Sequence, residues 1–148
     1  MCLRELDVCT INKTSNSLNS IIKLGKDRLE KNDCSNIVYK VDCKNCPSSY
    51  VGQSRRKLLY RVNEHTRDVK KLSKNSSLAT HVNNTNHTID FENIKIIDSE
   101  KSYKKRLFSE MLNIQFSDHT LNRMEDTINL KNSYKNTVNL IKKYLPPK

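Results

Sequence analysis

Ile37-Val38-Tyr39-Lys40-Val41-Asp42-Cys43-Lys44-Asn45-Cys46-Pro47-Ser48-Ser49-Tyr50-Val51-Gly52-Gln53 is the stretch that decides the fold. Residues 37–41 alternate apolar and polar side chains and are rich in β-branched residues, which predicts a strand. Residues 49–53 have the same character, and the seven residues between them are turn formers. The two strands are therefore expected to pair as an antiparallel hairpin. Tyr39 and Tyr50 then lie on neighbouring strands, and Cys43-x2-Cys46 sits in the connection.

Downstream, Leu58, Val62, His65, Val69 and Leu72 recur at helical spacing, predicting a buried stripe on a helix capped by Ser54 and ending near Leu72. A short helix over 76–84, a third strand over 91–97, a helix opened by Ser102 and running to about Gln115, and a last helix within 127–145 follow. Residues 118–121 read as a turn or loop. The pattern is that of a small α+β domain, a hairpin and a third strand among helices, occupying residues 34–148. Residues 1–33 read as a basic lead-in in which Ile21, Ile22, Leu24 and Leu29 could support a short helix.

The chain has 148 residues, only 35% of them hydrophobic and none of them Trp, so the core must be small and a metal staple would help it hold. Lys and Arg number 27 against 16 Asp and Glu, a formal charge of +11. That excess favours a polyanion, through phosphate neutralisation and counterion release, over a merely solvated basic surface. No apolar run approaches membrane-spanning length and no secretory leader follows Met1, so the expected setting is intracellular, without a membrane partner. In a reducing compartment a close Cys pair is more often a metal site than a disulfide.

Cys43 and Cys46, with His81-x5-His87, make four ligands suited to one tetrahedral Zn²⁺, and four protein ligands close the shell, so such a zinc is structural. Cys2, Cys9 and Cys34 have no partners at useful spacing and read as free thiols. Glu110 falls within the apolar face Tyr103, Leu107, Met111 and Ile114, where an ionised carboxylate is costly unless it is paired, with Arg106 or Arg61, or binds a cation. The functional alternative is a ligand for Mg²⁺ or Mn²⁺, completed by waters and substrate oxygens. Arg61 and His65, four apart, can set a guanidinium against a phosphate beside an imidazole that passes a proton. Tyr39 and Tyr50 are ordinary strand aromatics unless a cation stabilises a phenolate. Gly52, one of only two glycines, suggests a close approach. The runs Arg55-Arg56-Lys57 and Lys104-Lys105-Arg106, each more often a solvated face, flank the site elements and are expected to contact nucleic acid.

Taken in order, Ile37-Val38-Tyr39, Tyr50-Val51-Gly52-Gln53-Ser54, Arg61-Val62-Asn63-Glu64-His65, Arg106-Leu107-Phe108-Ser109-Glu110 and Leu121-Asn122-Arg123 resemble the GIY-YIG nucleases. The likeness is specifically to the endonuclease domain of Penelope-like retroelements, which carry two cysteines between the signature tripeptides and two histidines downstream. It spans roughly residues 21–130, beginning at Ile22-Lys23-Leu24-Gly25-Lys26-Asp27. Ile37 and Val38 depart from the Gly and Ile of the family name, at positions that shape the strand and supply no chemistry.

The resemblance implies a small mixed α/β (α+β) fold, a three-stranded antiparallel sheet flanked by helices, and hydrolysis of a DNA phosphodiester with one divalent metal, nicking target DNA. Tyr39 would activate or position the attacking water, supported by Tyr50. Arg61 would stabilise phosphoryl charge and His65 would assist proton transfer. Glu110 would hold the metal, and Asn122 would fix the geometry by hydrogen bonding. It also implies a reverse transcriptase domain of the same element as a partner, absent from this chain, a nuclear setting, and action as a monomer or transient dimer. Two rivals are a non-catalytic, zinc-dependent nucleic-acid-binding module and a structure-selective repair nuclease of the same fold.

Overall fold

The computed structural model describes residues 29–144. A short 3-10 turn, Lys31–Asp33, precedes strand β1 (Ile37–Asp42), strand β2 (Ser49–Ser54), helix α1 (Leu58–Lys70), helix α2 (Ser77–Thr85), strand β3 (Lys95–Ser99) and helix α3 (Tyr103–Phe116). A second 3-10 turn, Met124–Thr127, leads to helix α4 (Asn132–Tyr144). The helix expected around Ile21, Ile22 and Leu24 lies outside the described residues, as do Cys2 and Cys9.

The sheet order is β2-β1-β3 and both pairings are antiparallel. Tyr39 faces Gly52 and Val41 faces Tyr50 across the hairpin, so these four share one face of the sheet. On that face Ile37, Tyr39 and Val41 pack with Leu58 of α1, Leu78 of α2, and Ile89 and Ile94. On the other, Val38 and Val51 meet Ile114 of α3. The β-branched alternation of the two strands thus supplies two thin half-cores, one on each side of a three-stranded sheet.

Several boundaries differ from the expected ones. Ser54 does not cap α1. It ends β2 and its hydroxyl donates to the Arg56 carbonyl at 2.8 Å, while the first N–H of α1, that of Leu58, is taken by the Cys34 carbonyl at 2.9 Å. Leu72 leaves the buried stripe because the chain has already turned out of α1 into a left-handed conformation there, with φ 50°. The third strand begins four residues later than its apolar pattern suggests. The Asp90 carboxylate gathers the N–H groups of Glu92 and Asn93 into a tight turn, which excludes residues 91–93 from the sheet. Tyr103 is exposed rather than part of a buried face. The last helix starts only at Asn132, after the separate 3-10 turn.

Arg106 overturns its expected place on a phosphate-contacting collar. It is 2% exposed, the largest fully buried side chain among the described residues. Its Nε donates to Gln53 Oε1 at 2.7 Å and its Nη1 to the Glu100 carbonyl at 2.9 Å, with longer bonds to Asn36 and the Lys101 carbonyl. No carboxylate pairs with it in these bonds. Neutral oxygens around a planar fork hold the cation, joining the N-terminus of α3 to the ends of β1 and β2. Arg106→Ala should therefore destabilise the domain by roughly 3 kcal/mol or more, by leaving four acceptors and a void behind. Arg106→Lys should recover less than half of that, since an ammonium cannot span the fork. Urea denaturation of the two variants checks both expectations.

Candidate functional site

The β1–β2 connection and the α2 region build the first centre. Ser76 caps α2 by accepting from the Ala79 N–H, and Asn86 ends it in a left-handed turn, φ 56°, that sends His87 back toward the hairpin. The Lys44 N–H donates to the Thr88 carbonyl, and the Thr88 N–H to Asn45 Oδ1, stitching the two loops together. The ligand atoms of Cys43, Cys46, His81 and His87 consequently lie within 4.8 Å of one another, a group that could hold a metal ion.

The separations are informative. His81 Nε2 is 3.4 Å from Cys43 Sγ and 3.7 Å from Cys46 Sγ, and His87 Nδ1 is 3.7 Å from Cys43 Sγ. Bonds of about 2.3 Å to sulfur and 2.0–2.1 Å to nitrogen at the tetrahedral angle put S and N about 3.5 Å apart, so the cluster has the dimensions of a structural zinc shell. Hydrogen bonds from Ser48 lower the Cys46 thiol to about 7, which favours the thiolate. Burial and the neighbouring His87 lower His81, keeping its ring neutral and able to ligate.

The second centre gathers on the face of the β1–β2 hairpin that α1 covers. Tyr39 is fully buried, and its hydroxyl lies 2.7 Å from His65 Nε2 and accepts from Arg61 Nε at 3.0 Å. Arg61 Nε–H can only donate, and in the tautomer with His65 Nε2 unprotonated the Tyr39 O–H donates to it. Burial, with Arg61 adding to it, pushes His65 down to about 4, so its ring is neutral. Its Nδ1 is the one buried side-chain nitrogen or oxygen without a partner among the described residues. Tyr39 itself is pushed up by burial, against the pull of Arg61. Tyr50 stands edge-on to His65, ring centroids 5.3 Å apart. A Cβ on Gly52 would sit 2.7 Å from the Tyr39 hydroxyl and 2.8 Å from the Tyr50 ring, so only glycine lets both phenols close over β2.

Glu110, half-buried on α3, is pushed up to about 7 chiefly by burial, then by Asp126. The side chain and backbone N–H of Gln53, followed by Arg61, act in the opposite direction. Arg106 and Arg61 are not its ion-pair partners. Arg106 is committed elsewhere, and Arg61 Nη1 approaches Glu64 at 3.5 Å. Asn122 holds β2 from outside, accepting from the Val51 N–H at 2.9 Å and donating to the Val51 carbonyl at 2.8 Å.

The structure thus brings Tyr39, Tyr50, Arg61 and His65 into one cluster, where burial raises both phenols and the nearby Glu110 adds to it. Asn122 braces the strand under it. Of the basic residues, Arg55, Lys104 and Lys105 are exposed, Arg56 pairs with Glu64 at 2.6 Å, and Lys57 with Asp33 at 2.7 Å. Sequence reasoning assigned no role to Gln53, Asp126 or Glu64. For Gln53 the signal was available: it follows Val51 by two, and so faces the same free edge.

No protein-family model matches the chain, and no curated protein or solved structure matches it. No helix among the described residues is long and apolar enough to cross a membrane.

Two expectations follow. Purified protein should carry about one zinc per chain, and its removal by a chelator, or Cys46→Ser, should lower the melting temperature by on the order of 10 °C or more, read by calorimetry with elemental analysis. His65 takes up its proton at about 4 when folded but near 6.5 when unfolded, so the unfolded state binds the proton first as pH falls. Stability should drop between about pH 6.5 and 4, by roughly 3 kcal/mol from this site. In His65→Gln that part of the pH dependence should vanish, as measured by denaturation across the range.

Proposed function

We propose that this chain is a divalent-metal-dependent DNA endonuclease domain of the GIY-YIG type, similar to those of Penelope-like retroelements, with a structural zinc. The observation that supports this best is the directed chain Arg61 Nε–H to Tyr39 O–H to His65 Nε2, within electrostatic reach of Glu110.

In the resting site Tyr39 is a neutral phenol and His65 a neutral base. As a water attacks phosphorus, its proton passes to the Tyr39 oxygen while the Tyr39 proton passes to His65 Nε2, in one concerted step in which Arg61 stabilises the transient phenolate charge. The new O–P bond forms as the bond to the leaving deoxyribose oxygen breaks, and that oxygen takes up a proton from solvent as His65 releases its own. Tyr50 packs against His65 and fixes the ring during the transfer. Glu110 suits Mg²⁺ or Mn²⁺, ions that use one or two carboxylates and keep several waters. When bound, such an ion would displace the Glu110 proton and polarise the phosphoryl and leaving oxygens. Arg55, Lys104 and Lys105 are exposed cations suited to the flanking phosphates. Nuclear action on genomic DNA, and cooperation with a reverse transcriptase, extend the same proposal.

Supercoiled plasmid should be nicked in Mg²⁺. Glu110→Ala should lower the rate by about a thousandfold or more with zinc retained, and Tyr39→Phe by about 10²–10⁴. Undiminished nicking by Glu110→Ala would overturn the proposal. Salt-sensitive DNA binding with no cleavage in Mg²⁺ or Mn²⁺ would leave a zinc-dependent nucleic-acid-binding module.

A further inference from the structure

A cavity of about 340 Å³ opens beside the phenol–imidazole cluster, with Tyr50, Arg61 and His65 in its wall. The rest of the wall comes from the C-terminal half of α1, the 73–77 segment that enters α2, and the 3-10 turn after Asn122. Arg123 Nη2 donates to the Lys74 carbonyl at 3.1 Å, tying two of those walls together. The volume is at the lower end of small-ligand pockets, about 300–1,000 Å³.

Its chemistry is mixed. Arg61 and Arg123 offer donors. Asp68 and Asp126 offer only acceptors, and Asn75 and three serines offer both. A bare phosphate needs donors alone and would be repelled by two carboxylates. A base edge presents donors and acceptors together, and its ring can lie on a fixed aromatic wall. Tyr50 is such a wall, held T-shaped against His65 at 75°.

We propose that this cavity receives one unpaired nucleotide next to the phosphate being cut, with the base against Tyr50 and its edge read by Asn75 and Asp68. The domain would then favour DNA with an extrahelical nucleotide at the cut over perfect duplex. The cutting part of this inference rests on the nuclease proposal; the binding part does not.

The test is equilibrium binding, without Mg²⁺ and without chelator, of a perfect duplex and of one carrying a single extra 2-aminopurine. The bulged duplex should bind about tenfold more tightly or better, with the 2-aminopurine emission changed on binding. Asn75→Leu, which keeps the shape and removes the hydrogen-bonding edge, and Asp68→Asn, removing an acceptor, should each erase most of that preference and leave perfect-duplex affinity unchanged. Equal affinity for the two duplexes, or a preference unaffected by both variants, would overturn the proposal. Plasmid nicking in Mg²⁺, measured in parallel, separates the two claims. Nicking without bulge preference removes the cavity's role alone, and bulge preference without nicking removes the nuclease proposal alone.

Discussion

The outer edge of β2 is the constraint on which the rest of the site depends. A three-stranded sheet ordered β2-β1-β3 leaves Ser49, Val51 and Gln53 with backbone groups that no strand pairs. Each is met differently. The Ser49 N–H donates to the His119 carbonyl, and its carbonyl accepts from the Leu121 N–H. Val51 is met on both sides by the Asn122 carboxamide, which acts as one residue of a missing strand. The Gln53 N–H is turned toward the Glu110 carboxylate. Leaving such groups buried and unpaired would cost about 1–3 kcal/mol each, so closing the edge also delivers Asn122 and Glu110 to the same strand that carries Tyr50.

The opposite side of β2 is fixed by a different requirement. Tyr39 and Tyr50 converge over Gly52, and the space is so short that a methyl group would touch both. Burying Tyr39 there disfavours its phenolate, and burying His65 disfavours its imidazolium. The resting pair is neutral for the same reason that it is well packed. Arg61 is the one permanent charge in the chain of bonds, and Glu64 tethers it from the solvent side. The unpartnered Nδ1 of His65 is the remaining local cost, in a site otherwise satisfied.

What the sequence made legible follows from where its signals are local. The hairpin was readable because β-branched alternation and turn residues act over a few positions, and the four metal-ligand candidates because Cys and His are rare and chemically distinct. Ser54 has the residue type of a helix cap, but β2 continues through it, a fact set by pairing with Ile37 seventeen residues earlier. Residues 91–93 carry a strand-like pattern that the Asp90 side chain overrides. Arg106 was the deepest misreading. In a basic run its type says surface, and only the tertiary meeting of Gln53, Asn36 and two carbonyls makes a buried place for it.

The two centres are not independent. Cys46 lies only four residues before Tyr50, and Ser48, which lowers the Cys46 thiol, is next to the Ser49 that anchors the outer edge. His81 belongs to α2, whose entering segment walls the cavity that Tyr50 and His65 share. A metal held by Cys43, Cys46, His81 and His87 would therefore fix the start of β2 and the placement of α2 at once. With a core as thin as this one, the half-core on the Tyr39 side needs Leu78 and Ile89, which flank His81 and His87 in sequence. Losing the metal would loosen that packing and, with it, the burial that keeps Tyr39 and His65 neutral. A structural metal can in this way influence the protonation state of groups it does not touch.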